Sequence, residues 1–265
     1  MNQDETRRRQ DVVIRAALSQ IGKKYFITSG KGGVGKSCLT TNLAAALAAT
    51  GARVGLMDVD IHGPSIPRML GLSGRMSVGE DRTILPQQAG PNLLVVSIEG
   101  MLADRDDAVI WRGPKKINAI RQFISDVSWG PLDYLLIDSP PGTGDEPLAV
   151  AQTVLGARAI VVTTPQEVSL ADVRKAIRFL SRVGVDIAGL VENMSGFVCP
   201  HCGQATDLFG RGGGRLLAEA LDLPFLGAVP LDPDVVPASD QGRPYVLEKP
   251  DSDFARALNA IAARM

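Results

Sequence analysis

The chain has 265 residues, of which 45% are hydrophobic and 22% charged, as in globular proteins that bury a sizeable core. Its 28 lysines and arginines nearly balance 29 aspartates and glutamates, so a net charge of −1 gives no general reason to expect nucleic acid or anionic membranes as partners. No stretch approaches about 18 apolar residues and no signal-peptide core is visible, so we expect a cytoplasmic protein. Three cysteines, an odd number, favour reduced thiols with metal-binding or redox roles.

We interpret residues 1–23 as an N-terminal extension. They begin polar and continue as DVVIRAALSQIG, which predicts at most a short amphipathic helix. Arg7, Arg8 and Arg9 form a basic patch that we interpret as solvated charge, with a partner contact as the alternative. From residue 24 onward, apolar runs alternate with amphipathic ones. This alternation predicts an α/β domain with a mostly parallel sheet covered by helices on both faces.

A glycine-rich segment, GKGGVGKS, follows the apolar run Tyr25–Ile27 and precedes an alanine- and leucine-rich run. It fits the phosphate-binding pattern G-x-x-x-x-G-K-[ST]. Glycines allow backbone N–H groups to approach phosphate oxygens, and the N-terminus of the next helix adds partial positive charge. Lys36 would then contact the β- and γ-phosphates, and Ser37 would ligate Mg²⁺. The predicted nucleotide-binding residues of the loop are Gly30, Lys31, Gly32, Gly33, Val34, Gly35, Lys36 and Ser37.

Lys31 is a second lysine, directly after the first glycine of the loop. It has little room beside the nucleotide of its own chain, so it is free to reach outward. The form G-K-G-G-x-G-K-[ST] resembles the deviant Walker A motif of the MinD, ParA, ArsA and nitrogenase iron protein group. In that group the extra lysine reaches the nucleotide of a partner subunit, so the resemblance implies a homodimer. A solvated loop lysine is the alternative.

Two carboxylates follow predicted strands. Asp60 comes just after the strand-like run Arg53–Met57, where it could orient the attacking water or contact Mg²⁺; the alternative is an N-cap of an irregular helix within residues 61–70. Asp138 ends the apolar run Tyr134–Ile137, which is the Walker B arrangement for holding water on Mg²⁺. The segment after it is rich in glycine and proline and predicts a switch loop.

The connections between these strands are less regular. Residues 71–91 predict an excursion with a hairpin around Gly79–Asp81, followed by a strand at Leu93–Ile98 and a helix that starts near Pro114. Two more strand and helix units follow Asp138. The last of these strands leads into Asn193, whose amide can meet an adenine edge; a helix-capping role is the alternative. The absence of an N-K-x-D guanine signature favours ATP over GTP.

The motif C-P-H-C contains Cys199 and Cys202, which can direct two thiolates toward one centre. One pair supplies half of a four-ligand site. In a two-fold homodimer, two pairs near the axis would supply four thiolates for a [4Fe-4S] cluster or a zinc ion. A redox role of the thioredoxin type is an alternative, but it requires a helix N-terminus at the first cysteine. Cys38 we interpret as a packed small side chain.

Further motifs identify the sequence as a member of a family. HGPSIP (62–67), WRGP (111–114), DSPPGTGD (138–145), ENMSGFVCPHCG (192–203), LFGRGGG (208–214) and FLGAVPLDPDV (225–235) closely resemble the Mrp/ApbC group of iron-sulfur cluster carrier ATPases. The resemblance implies a three-layer P-loop NTPase domain over residues 24–265 with a metal-binding loop near 199–202. By position, it implies that Lys31 acts across the dimer, Gly32–Ser37 bind phosphates and Mg²⁺, Asp60 and Asp138 lie near metal and water, Asn193 contacts adenine, and Cys199 with Cys202 bridges a cluster.

The sequence therefore predicts a homodimeric ATPase that accepts a [4Fe-4S] cluster and passes it to apo-proteins, with Lys31, Lys36 and Asp60 as catalytic residues and no nucleic-acid or membrane partner. A spatial organiser of the MinD and ParA kind is the main alternative. A MinD-type membrane anchor would be a basic amphipathic C-terminal helix, whereas DSDFARALNAIAARM is alanine-rich and predicts a packed helix. The balanced charge argues against strong nonspecific DNA binding. A dimeric ATPase with a structural zinc is the second alternative.

Overall fold

The computed structural model describes residues 3–60, 63–79, 83–101 and 113–265. The helices are α1 Gln3–Ser19, α2 Lys36–Ala49, α3 Ile66–Met69, α4 Gly113–Asp126, α5 Asp145–Thr153, α6 Glu167–Arg182, α7 Gly213–Ala220, α8 Val235–Asp240, α9 Tyr245–Glu248 and α10 Asp253–Ala262. The strands are β1 Ile21–Ser29, β2 Val54–Asp58, β3 Ser77–Val78, β4 Ile84–Leu85, β5 Gln87–Gly90, β6 Leu93–Ser97, β7 Leu132–Asp138, β8 Arg158–Thr163, β9 Ile187–Glu192, β10 Phe197–Val198, β11 Ala205–Thr206 and β12 Phe225–Ala228.

The main sheet has eight strands in the order β12-β9-β8-β1-β7-β2-β6-β5. All neighbours are parallel except β5, which runs antiparallel to β6. Its central strands carry continuous apolar runs because helices cover both faces and leave no polar side. This confirms the predicted mostly parallel sheet. Two small antiparallel pairs, β3-β4 and β10-β11, lie outside it.

The core has two layers, one on each face of the sheet. On one face, α2 packs with α9 and α10 against the sheet. The other face is covered by α1 and by α4 to α7. The C-terminal helix α10 buries Phe254, Leu258 and Ile261, so the predicted packed helix is confirmed. Within the described residues, no helix is both long enough and apolar enough to cross a membrane.

The N-terminal segment is more structured than we predicted. Helix α1 covers 17 residues, and its side chains Ile14 and Leu18 are buried in the core beside β1 and α4. Asp11 adds an ion pair with Arg121 of α4. Strand β1 begins at Ile21, three residues before the boundary that we placed at residue 24. An amphipathic pattern at a chain end shows that a helix has an apolar face, but it does not show how much of that face packs against the rest of the protein.

Some predicted features lie outside the described residues. Strands β3 and β4 pair antiparallel, as the predicted hairpin requires, but residues 80–82 of its turn are outside the described part. Residue 62 of the HGPSIP motif, residue 61 before it and residues 111–112 of the WRGP motif are also outside it, as are the side chains of residues 7–9.

Candidate nucleotide and metal site

The carboxyl ends of the parallel strands place the candidate residues along one edge of the sheet. Strand β1 leads into the glycine-rich loop, β2 ends at Asp58, β7 ends at Asp138 and β9 ends at Glu192. In open α/β sheets, ligands bind at this edge, where the strand order changes direction. The loop, Asp60 and Pro141 line one open cavity of about 240 Å³.

Glycines give the loop its shape. Gly33 and Gly35 both have φ of +79°, a backbone region that side chains rarely adopt. Helix α2 begins directly after Gly35, so its first backbone N–H groups face the cavity. A helix N-terminus of this kind attracts phosphate through its N–H groups and its dipole. The loop therefore has the geometry that the motif predicted.

Lys36 and Asp138 form the polar centre of the site. Lys36 Nζ lies 2.9 Å from Asp138 Oδ2, and both side chains are more than 90% buried. The Ser37 hydroxyl donates to the same carboxylate over 2.6 Å, and the Thr40 hydroxyl lies 3.0 Å from Asp138 Oδ1. Thr40 was not predicted, although it stands four residues after Lys36 on the same helix face. These contacts place the predicted lysine, serine and Walker B carboxylate together.

Asp58 is a further buried carboxylate that our sequence reasoning did not select. Its oxygens accept hydrogen bonds from the backbone N–H groups of Asp60, Ser65 and Ile66 and from the Ser97 hydroxyl, at 3.2 to 3.3 Å. Complete burial, and next the charge of Asp138, raise the pKa of Asp58 above its ordinary value. Asp58 thus organises the backbone after β2.

Asp60 lies on the cavity wall, where the loop after β2 leaves the sheet. Helix α3 begins at Ile66 with Ser65 in the N-cap position, so Asp60 does not cap it. The predicted role of Asp60 in positioning water or Mg²⁺ is compatible with this location. It stays a prediction.

Lys31 lies partly exposed at the rim of the same cavity. Its carbonyl oxygen accepts a hydrogen bond from the Ser29 hydroxyl, which fixes the backbone of the loop while the side chain remains at the surface. No ion pair of Lys31 occurs among the described residues. This position agrees with a side chain that reaches outward.

Asn193 lies behind the loop and contacts it directly. Its side-chain amide donates to the carbonyl oxygen of Val34 over 2.9 Å, and its side chain is buried. It follows β9 and precedes β10, so it does not cap a helix. The adenine contact stays a prediction, whereas the contact with the phosphate loop was not anticipated.

The two cysteines of C-P-H-C lie in the turn of the β10-β11 hairpin. Cys199 N donates to Gln204 O and Gly203 N donates to Cys199 O, at 3.0 and 2.9 Å, and Gly203 has φ of +71°. Cys202 is exposed and Cys199 is half-buried. Cys199 is in a hairpin and not at a helix N-terminus, so the thioredoxin-type alternative is excluded.

The electrostatics of Cys199 favour a thiolate. Its pKa is lowered by hydrogen bonds from the backbone N–H groups of Cys202 and then His201, with a smaller effect of the Cys202 thiol. N–H groups directed at a cysteine sulfur stabilise its negative charge, as they do in metal–thiolate sites. Cys38 is the opposite case, since burial raises the pKa of its thiol to about 11. The hairpin therefore holds a pair of neighbouring thiols, of which Cys202 is exposed and Cys199 is stabilised as a thiolate.

Glu192 joins two of the quoted motifs in space. Its buried carboxylate accepts hydrogen bonds from the Ser195 hydroxyl at 2.6 Å and from the backbone N–H groups of Gly212 and Gly214. A Cβ on Gly214 would lie 3.0 Å from Glu192 Oε2, so the glycine allows a close approach. The ENMS segment and the LFGRGGG turn thus meet at one carboxylate.

Comparisons with known proteins show the family of this chain. A family model described as ParA, NUBPL iron-transfer P-loop NTPase, matches residues 20–265. The chain is 49% identical over 259 residues to an iron-sulfur cluster carrier protein from Methanocaldococcus jannaschii, covering 97% of this chain and 89% of the relative. It is 48% identical over 255 residues to the human cytosolic Fe-S cluster assembly factor NUBP2, covering 94% and 93%.

Solved structures give the same relationship. A nucleotide-binding protein from Archaeoglobus fulgidus in complex with ADP superposes with a TM-score of 0.79 at 40% identity, over 92% of this chain and 95% of that one. The cell division ATPase MinD from Pyrococcus furiosus superposes with a TM-score of 0.67 at 26% identity, over 92% and 98%. The fold is therefore shared with a nucleotide-binding protein and with an ATPase.

Proposed function

Because this chain belongs to the NUBPL iron-transfer family of P-loop NTPases, we propose that it is an ATP-hydrolysing carrier of a [4Fe-4S] cluster. Family membership makes it an ATPase of the ParA type. The cluster is its cargo, which is received, held and passed to apo-proteins. One observation supports the cargo site above the others: two neighbouring thiols lie in one hairpin turn, with N–H groups directed at the Cys199 sulfur.

The cargo site needs two copies of the chain. A [4Fe-4S] cluster takes four thiolate ligands, and each hairpin offers Cys199 and Cys202. A two-fold axis near the hairpins would bring two such pairs together, because a symmetric interface presents the same surface from both subunits. The carrier is therefore proposed as a homodimer that holds one cluster between subunits.

The phosphate loop provides the chemistry of hydrolysis. Phosphoryl transfer is accelerated by positioning and by neutralising charge on the phosphate oxygens. Lys36 and the N–H groups of the loop supply positive charge in each subunit, and Lys31 of the second subunit adds a further charge. Mg²⁺ prefers oxygen ligands, and the Ser37 hydroxyl beside Asp138 offers them. When bound there, Mg²⁺ would neutralise phosphate charge, while Asp60 orients the attacking water.

The place of action follows from relatives. Two curated relatives are named cytosolic Fe-S cluster assembly factors, so we place this carrier in the cytosol, with apo iron-sulfur proteins as recipients. Neither nucleic acid nor a membrane is included as a partner. The near-neutral charge of the chain is consistent with that choice.

Anaerobic reconstitution with iron and sulfide tests the cargo site. The wild-type protein should bind about four irons and four sulfides per dimer, with absorbance from thiolate-to-iron charge transfer. The variant Cys199→Ala with Cys202→Ala should lose both while it still hydrolyses ATP. Cys38→Ala is the matched control, since it removes the third cysteine from helix α2, outside the hairpin, and should leave the cluster unchanged.

The numbers of iron, sulfide and zinc bound per dimer distinguish the cluster carrier from its alternatives. Zinc bound through Cys199 and Cys202, without iron and sulfide, would replace the carrier with an ATPase that has a structural metal. A cluster that persists in the double variant would show that the ligands lie elsewhere. Cluster loss in Cys38→Ala as well would mean that the loss reflects general instability.

A further inference from the structure

A short linker, residues 193–196, joins strand β9 to the cysteine hairpin and contacts the phosphate loop through Asn193. Strand β9 ends at Glu192 and β10 begins at Phe197, so these four residues form the whole connection. Cys199 follows only two residues after β10 begins. Asn193, which contacts the phosphate loop, and Cys199 are thus only six residues apart in the chain.

The first end of the linker is in contact with the loop. Asn193 Nδ2 donates to Val34 O, and a Cβ added to Gly35 would lie 2.3 Å from Asn193 Nδ2 and 3.7 Å from the Met194 Cε atom. The loop backbone and the linker therefore leave no space for an extra atom between them. Movement of Val34 or Gly35 relative to β1 must displace Asn193 or break its hydrogen bond.

The linker backbone is fixed along its length. Asn193 N donates to Thr163 O at 2.8 Å, Ser195 N donates to Val229 O at 2.9 Å, and Gly196 O accepts from Leu231 N at 2.9 Å. Met194 has φ of +56°, a strained region for a side chain of its size. When Asn193 is displaced, the linker can therefore move as a unit and shift the hairpin, or it must break one of these backbone hydrogen bonds.

The far end of the linker determines where the hairpin lies. Ser195 donates to the buried Glu192 carboxylate, which also accepts from the turn that starts α7. Phe197 forms a parallel bridge to Leu231, next to the Gly196 hydrogen bond. The base of the hairpin is therefore held by the same residues that fix the linker.

We propose that Asn193 is a positioning residue that couples the conformation of the phosphate loop to the placement of the cysteine hairpin. Nucleotide binding fixes the conformation of the loop through its N–H groups. Because the Asn193 amide is hydrogen-bonded to the loop, the position of residues 193–196 then depends on the loop conformation. The environment of Cys199 and Cys202 then differs between nucleotide states. The consequence for cargo release rests on the proposed function, but the coupling itself involves only this chain.

Coupling of this kind is reciprocal. If nucleotide changes the affinity of the hairpin for its cargo by some factor, cargo must change the affinity for nucleotide by the same factor. Typical coupling factors are about fivefold or more. Removal of the Asn193 amide should reduce both factors toward one.

Alkylation of the metal-free protein measures the coupling without any cluster. Iodoacetamide modification of Cys199 and Cys202 is followed by mass spectrometry of peptides, with and without a saturating, non-hydrolysable ATP analogue and Mg²⁺. We expect wild-type rates to differ about fivefold between the two conditions, and the ratio to fall to about one in Asn193→Ala. The Cys38 rate in the nucleotide-free samples is an internal control for unfolding, because burial raises the pKa of this thiol in the folded state. Cys38 also lines the nucleotide cavity, so its rate with nucleotide bound is not used as a control.

Saturating nucleotide separates coupling from binding. A role of Asn193 in adenine binding alone would weaken affinity, but the wild-type ratio would return once the site is full. Asn92→Ala is the matched control, since it also removes an amide-to-carbonyl hydrogen bond, to Ala48 O at 3.3 Å, at the opposite edge of the sheet. If Asn193→Ala makes Cys38 reactive without nucleotide, Asn193→Ser, which keeps a small polar side chain, is used in its place.

Two outcomes would overturn the inference: a wild-type ratio of one, or an unchanged ratio in a folded Asn193 variant at saturation. Failure of the proposed function looks different, because it would appear as absent cluster binding in reconstitution while the alkylation ratio still depends on Asn193.

Discussion

At the scale of single residues, two glycines with the same backbone conformation differ in their surroundings. Gly33 and Gly35 both have φ of +79°, but a Cβ on Gly33 meets nothing within 4 Å, whereas a Cβ on Gly35 meets Asn193 Nδ2 at 2.3 Å. A motif treats both as loop glycines. Only the packed structure shows that one of them also needs empty space.

We predict that Gly35→Ala lowers the free energy of unfolding more than Gly33→Ala does. Both variants add backbone strain of about 1 kcal/mol, and the Gly35 variant must in addition displace Asn193, for a total of about 2–4 kcal/mol. Urea unfolding without nucleotide measures the difference. Equal losses in the two variants would contradict the close packing of Gly35 against Asn193.

Tyr245 gives a prediction that depends on pH. Burial, followed by its hydrogen bond to Asp232 at 2.8 Å, raises the pKa of this phenol well above its ordinary value. The folded state therefore retains a proton that the unfolded state loses near pH 10, so the contribution of Tyr245 to stability is present below pH 10 and declines above it.

Tyr245→Phe should accordingly cost about 1 kcal/mol at pH 7. The difference between wild type and variant should shrink when urea unfolding is repeated at about pH 10.5, because only the wild type loses stability through ionisation in the unfolded state. If the stability difference between wild type and variant instead grew with pH, the pKa of Tyr245 would be lowered in the folded state, contrary to this prediction.

At the scale of elements, Glu192 joins the end of β9 to the beginning of α7. Its carboxylate is fully buried and satisfied by one hydroxyl and two backbone N–H groups. An acidic residue among apolar strand residues gives no indication of its partners in sequence. The two backbone N–H partners lie 20 and 22 residues later, and only the fold brings them to the carboxylate.

Glu192→Gln should lower the free energy of unfolding by about 2–4 kcal/mol, since a charged acceptor is lost and a new N–H₂ group faces backbone donors. It should also speed alkylation of Cys202 in the hairpin, with or without nucleotide. Glu167→Gln, at an exposed position in the first turn of α6, is the control and should cost less than about 1 kcal/mol. Similar losses in both variants would show that Glu192 does not hold the turn.

At the scale of the whole molecule, the proposed homodimer makes a prediction about mixing. Lys31→Ala and Lys36→Ala should each abolish most ATP hydrolysis, because each removes one of the two lysines from every site. Equal mixing should restore about a quarter of wild-type activity, since half of the dimers are mixed and each contains one complete site.

Hydrolysis rates of the two variants, alone and after mixing, provide the measurement. No recovery on mixing would place Lys31 in its own subunit's site and contradict the exchange between subunits. Full activity of Lys31→Ala alone would favour the alternative interpretation of Lys31 as a solvated loop lysine with no role in hydrolysis.

The sequence was sufficient for the fold class and for the phosphate loop because both follow from local patterns. Apolar strand runs that alternate with amphipathic helices require a covered parallel sheet, and they appear in the structure with boundaries shifted by at most four residues. Lys36, Ser37 and Asp138 were identified for the same reason, since each stands beside a glycine-rich turn or ends an apolar strand. The packing of α1 was underestimated because a helical pattern does not reveal its partner.

What the sequence determined by itself is chemistry that neighbouring residues create together: a loop that can cradle phosphate, a carboxylate after a strand, and a thiol pair in one turn. Tertiary structure decided the contacts between distant segments, namely Asn193 against Val34, Glu192 beneath Gly212, and Asp58 among the N–H groups after β2. The physical reason is that a buried polar group must find a partner, while its position in sequence does not specify which one.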